Sequence, residues 1–142
     1  MAVMLRVGGK NFNVDTYLQE HPCETVKVWR KGEACFPKSQ PEGAKNEDSG
    51  LSITVGDAES NDLIGEIEDS ILFLEDEVNR SEIQTLMSYP GIEGGTLDFG
   101  IDLEDLSEYP LQSFAFPPNL LRLAGTLGLC LEVSLNPFCG RR

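Results

Sequence analysis

The sequence is short of almost everything that metal, redox or nucleophilic chemistry draws on. It has one histidine, His21, and four cysteines, Cys23, Cys35, Cys130 and Cys139, none of them in a C-x-x-C pair. A zinc site from His21, Cys23, Cys35 and Cys139 would lack the paired spacing of zinc ligands, and free thiols are the ordinary state in a reducing compartment. No G-x-S-x-G elbow presents a serine nucleophile. Gly94-Gly95-Thr96 lacks the lysine of a phosphate loop, and Asp98, Asp102, Glu104, Asp105 and Glu108 do not follow the order of a calcium-binding EF-hand. These absences assign no catalytic residue, no metal and no cofactor. Apolar runs of ~20 residues, the length of a membrane span, are also missing. The first residues, MAVMLRVGGK, lack the basic start and small-residue cleavage site of a secretory signal. The expectation is a cytosolic protein that does not cross a membrane.

Basic residues are scarce where acids are dense. The chain of 142 residues has a formal net charge of −13. Residues 42–108 hold 19 acids against 2 bases, a net −17, while the flanking stretches are each +2. A nucleic-acid binder needs a basic face, so nucleic acid is excluded as a partner. An acidic middle segment suits a basic protein partner, or solubility alone. The length points to one domain over 1–142.

The hydrophobic pattern places the elements. Residues 2–7 alternate as a strand, with Val3 and Leu5 on one face and Met4 on the other. Asn13 caps a helix over 14–20, with Asp15 favourable in its first turn, and His21-Pro22 ends it. A strand is expected over 24–29, then a long loop over 31–50, where Gly, Pro and polar residues show no period. Leu51, Ile53 and Val55 mark a third strand. Ser60 can cap a long helix whose apolar residues Ile64, Ile67, Ile71, Leu74 and Val78 recur at steps of three and four, a stripe that should face the core. Ser81 to Gln84 reads as a capping box, which predicts a kink near 79–81 and a short helix over 82–88. Strands are expected over 96–101 and 111–116, with an acidic loop over 102–110 between them.

The most explicit stretch is Pro117 to Pro137. Proline suits the first helical position, and Leu120, Leu121, Leu123, Ala124 and Leu127 share one broad side. Gly128 suits the left-handed stop. Leu129, Leu131, Val133 and Leu135 then alternate against Cys130, Glu132, Ser134 and Asn136, as in a half-buried strand. The order β-α-β-β-α-α-β-β-α-β predicts an α+β fold, a mainly antiparallel sheet with helices packed on one face. A ferredoxin-like split βαβ arrangement is one option.

Nearly the whole chain resembles a family of small bacterial domains catalogued as domain of unknown function 4279. The likeness lies in the strand LRV, the helix VDTYLQEH, the segment VWRKGE at residues 28–33, the strand LSITV, the long helix, the strand TLDFGI, and NLLRLAGTLGLCLEVSL at residues 119–135. Leu51 departs from it, since an aromatic residue is the more usual occupant there. The resemblance implies no catalytic residues.

Two surfaces are candidates for function. On the long helix, at 100° per residue, Phe73 falls nearly opposite the apolar stripe, among Glu66, Asp69, Asp76 and Glu77. An aromatic anchor inside an acidic rim is a pattern of protein interfaces, although a large apolar group is more commonly covered by the rest of the chain. The leading expectation is therefore a non-enzymatic protein-binding module, a cytosolic immunity or inhibitor protein that neutralises a basic toxin through its acidic surface. The alternatives are a small-ligand or enzymatic domain with a cleft near Trp29 and His21, and a regulatory domain.

Overall fold

A computed structural model describes residues 3–56, 63–102 and 115–136 of the chain. The elements are β1 (Val3–Gly9), α1 (Val14–Glu20), β2 (Lys27–Trp29), β3 (Ala34–Phe36), β4 (Gln40–Lys45), β5 (Ser49–Val55), α2 (Leu63–Glu75), α3 (Glu77–Met87), β6 (Gly94–Asp102), α4 (Pro118–Thr126) and β7 (Leu129–Asn136). Five strands form one sheet in the order β2-β5-β1-β6-β7, and β3 and β4 form a separate pair.

Strand β1 sits at the centre and pairs antiparallel with β5 on one side and β6 on the other. Its period-two pattern sends Val3, Leu5 and Val7 to one face. The register sets Leu5 beside Ile53 and Leu97, and Val7 beside Leu51. The resulting apolar face includes Leu5, Leu51, Leu97 and Phe99, all 0% exposed. The opposite face is polar. Arg6 reaches Asp98 at 3.3 Å and also Glu132, and the Ser134 hydroxyl donates to Asp98 at 2.7 Å. One apolar face and one polar face call for a single layer of helices.

The topology explains why the described helices lie on that one side. Strands β1 and β2 are both antiparallel to β5, so they run parallel with β5 between them. In the same way β5 and β6 run parallel with β1 between them. The order β2-β5-β1-β6 is thus two interleaved split βαβ units, the ferredoxin-like arrangement. Strand β7 joins the edge parallel to β6, after α4. Right-handed crossovers are nearly universal. Applied to β1–α1–β2, to β5–α2–α3–β6 and to β6–α4–β7, that handedness brings every helix to the same face.

Several predicted elements are changed by tertiary context. The strand expected at 24–29 is only Lys27–Trp29, and Val26 is 60% exposed. The loop expected at 31–50 contains the β3–β4 hairpin, and β5 already begins at Ser49. That hairpin buries neither face, so its sequence carries no alternation. The predicted kink at 79–81 is a helix break at Asp76, whose backbone is extended and whose side chain accepts the Asn79 amide to start α3. Leu121 and Leu135, on the apolar sides expected of the helix and the strand, are 51% and 56% exposed. The cap at Ser60 lies outside the described residues, as do 103–110 of the expected acidic loop and 111–114 of the expected strand.

The α3–β6 turn is pressed directly against the β1–α1 turn. Gly91 has φ +93°, and a Cβ there would stand 2.4 Å from the Asn11 carbonyl oxygen. A Cβ on Gly9 would stand 1.9 Å from the Gly91 carbonyl oxygen. Gly128, with φ +76°, has only the Met87 methyl nearby, at 3.8 Å. Gly128→Ala should therefore cost about 1 kcal/mol, from the left-handed backbone alone. Gly91→Ala should cost about 3 kcal/mol, since backbone that cannot give way adds overpacking strain. Urea midpoints compare the two, and equal losses would remove the close approach as the cause.

Candidate functional site

A cleft of about 360 Å³ opens between the end of α1 and α3, on the helix side of the sheet. Its floor is Leu51 and Ile53 of β5, with Phe73 from the end of α2. Tyr17, Glu20, His21 and Cys23 form one wall; Asn79, Glu82 and Leu86 are on the other. Each wall is placed by local sequence. Asn13 accepts the Thr16 amide and starts α1, and the capping His21 amide donates to the Tyr17 carbonyl and ends it. Asp76 starts α3 and so sets the direction of Asn79 and Glu82.

An aromatic cluster holds the α1 wall. Residues four apart on a helix share a face, and the Tyr17 and His21 rings stack at 5.0 Å. Tyr89, from the turn after α3, meets Tyr17 edge-on at 5.0 Å and Phe12 at 5.9 Å. The Tyr89 hydroxyl donates to Glu20. Asp15 is gripped from the far side by Arg30, through hydrogen bonds of 2.8 and 3.0 Å. These bonds hold the Asp15 carboxyl below its usual range. The contact between the two glycine turns puts Phe12 and Tyr89 within reach of each other.

The electrostatics of the cleft do not activate its thiol. Burial first, and then the charge of Glu82, push the Cys23 thiol up. A reactive cysteine needs the opposite shift. Burial, reinforced by Cys23, Glu82 and Tyr89, pushes the Tyr17 hydroxyl up to about 12. Among the described residues no group of three or more histidine, cysteine or carboxylate side chains is placed to hold a metal ion. No helix among them is long and apolar enough to cross a membrane.

The predicted site residues do not share one surface. Glu66 is 2% exposed and points into the protein, on the same side of α2 as Ile67, Ser70 and Leu74. Asp69 is half-buried, with its Cβ 2.5 Å from where a Cβ on Gly56 would be. Phe73 is half-buried in the floor of the cleft, packed against the core rather than outward as an anchor. Only Asp76 and Glu77 are exposed, and Asp76 is engaged as a helix cap. The sequence reading set α2 in the wrong rotation. Ile64 and Val78, assigned to the core, are 72% and 65% exposed, and Leu72 is 68% exposed. Glu66 and Ser70 hold inward positions that an apolar-stripe argument cannot assign to polar residues.

The second predicted pair is separated as well. His21 lines the cleft, but Trp29 lies on the opposite face of the sheet. Its ring covers Gly50, where a Cβ would stand 2.3 Å away, and its indole N–H donates to Asp48 at 3.0 Å. Trp29 closes over a glycine and does not line a cleft with His21. Tyr17, Glu20 and Glu82 were not singled out from the sequence. The spacing of Tyr17 and His21 was a usable signal, whereas Glu82 enters from α3, a separate element.

The raised Tyr17 hydroxyl has a consequence at high pH. The folded state keeps this proton while the unfolded chain loses it near the ordinary value, so stability falls as pH rises from about 10 to about 12. Tyr17→Phe should flatten that part of the fall and leave the neutral-pH slope unchanged. Urea unfolding across the alkaline range, with tyrosinate absorbance alongside, measures both. No protein-family model, curated protein or solved structure matches the chain.

Proposed function

We propose that the chain is a protein-binding module, a cytosolic inhibitor of the immunity-protein kind that neutralises a basic toxin partner by covering its working surface. The observation that carries this reading is the outer face of α2 and the start of α3. Ile64, Leu72 and Val78 are 72%, 68% and 65% exposed. They stand among the exposed carboxylates Glu68, Glu75, Asp76 and Glu77. Large exposed aliphatic groups inside a charged rim are unusual on a surface with no partner. Residues 63–87 hold seven acids and one base, Arg80. Such a face attracts a basic protein quickly and in a salt-sensitive way. The anchor is thus Leu72 with its aliphatic neighbours, in place of Phe73.

The cleft beside His21 favours the second reading, a small-ligand or enzymatic domain. If that reading is right, His21→Ala abolishes whatever turnover or ligand binding is detected.

Affinity capture from the native host, at low and high salt, tests the leading reading. A basic partner should be retained at low salt and released at high salt. The combined variant Leu72→Asp, Glu68→Lys, Glu75→Lys should bind that partner at least ~30-fold more weakly, the loss expected when a central anchor and its rim are removed. Unchanged binding by this variant would overturn the reading.

A further inference from the structure

We propose that the cleft between α1 and α3 is a subsite for an arginine side chain presented by a protein partner. The source of the arginine rests on the protein-binding reading above; the chemistry of the cleft does not. Three observations converge on a planar cation.

The first is size and lining. At about 360 Å³ the cleft is at the small end of ligand pockets. That is room for a guanidinium and its methylene stem. Ile53 and Phe73, both half-buried, offer the stem an apolar floor. The second is the aromatic wall. The exposed His21 ring stacks over the buried Tyr17, so the imidazole is the face on offer, and Phe73 adds another ring. A guanidinium is weakly hydrated and stacks on aromatic faces, which an ammonium does less well.

The third is charge. Glu20 and Glu82 contribute carboxylates from opposite walls, and no lysine or arginine lines the cleft among the described residues. Glu20 is oriented by the Tyr89 hydroxyl. Glu82 lines the cleft from α3, and its charge adds to the raised pKa values of Tyr17 and Cys23. A guanidinium between the walls would meet carboxylates with its fork of N–H donors, the strong charge-assisted geometry. It would also favour the tyrosinate form, so its binding lowers the Tyr17 pKa from its raised value.

The test uses three blocked tripeptides with arginine, lysine or citrulline between glycines. They are titrated into the full chain while the His21 and Phe73 side-chain signals are followed by NMR. The arginine peptide should shift both signals saturably, lysine should bind several-fold more weakly, and citrulline, the neutral isostere, should not bind. Glu82→Gln, at an exposed position that folding tolerates, should weaken the arginine peptide by about tenfold, the loss expected for a hydrogen bond to a charged group. Equal binding of citrulline, shifts that map outside the cleft, or no effect of Glu82→Gln would overturn the cleft assignment. If the captured partner binds Glu82→Gln as tightly as the unaltered chain, the partner does not use the cleft, while the protein-binding reading stands. If the arginine peptide binds as expected but no basic partner is retained, the protein-binding reading falls and the cation site stands.

Discussion

The fold depends on β1 being inserted between β5 and β6. Those two strands belong to one split βαβ unit, and β1 belongs to the other. Neither unit can close its hydrogen-bond ladder without the other's strand, and an unpaired backbone group in the core costs about as much as a lost hydrogen bond. The inner residues of β1 are at most 1% exposed because apolar neighbours flank them on both sides and helices lie above. The right-handedness of the crossovers then puts α1, α2, α3 and α4 over the same face. The other face carries the Arg6, Asp98 and Glu132 cluster, and none of the described helices covers it. Glycine-only contact at Gly9 and Gly91 seals the two units together at one end.

The same insertion sets the rotation of α2. That helix must cover β5 and β6 while leaning on α4 and α3, and it does so with Leu63, Ile67 and Leu74. Glu66 and Ser70 come inward with them, and the Ser70 hydroxyl donates to the Glu66 carbonyl at 2.8 Å. Turning these polar groups in leaves Ile64 and Leu72 outside. A buried carboxylate and exposed aliphatic residues on one helix run against composition, and departures of that kind gather at working surfaces. The inhibitor proposal is built on this inversion, and it differs from the sequence expectation in which residues anchor the contact.

The cleft follows from the spacing of α1 and α3 over β5. Helix α1 is short and ends at His21, so the sheet beyond it is covered by α3 only in part. What remains is an apolar floor between an aromatic wall and a carboxylate-bearing wall. Burial pushes its thiol toward the protonated form and its phenol likewise.

The sequence alone determined the α+β class, the strand alternation of β1, β5 and β6, the limits and cap of α1, and the helix-stop-strand unit from Pro118 to Asn136. Each depends on nearest neighbours or on one buried face, so it leaves a local period or a cap. It also determined that the chemistry is acidic and poor in nucleophile motifs. Only the tertiary structure decided the β3–β4 hairpin, where neither face is buried and no period exists to read. It alone decided the rotation of α2, because which side is inward depends on the sheet beneath and not on the helix's own composition. It also separated Trp29 from His21, since adjacent residues of a strand point to opposite faces and β2 presents Val28, not Trp29, to the core. And it brought Glu82 to Tyr17 across the chain, a juxtaposition that follows from interleaving two βαβ units and that no local pattern records.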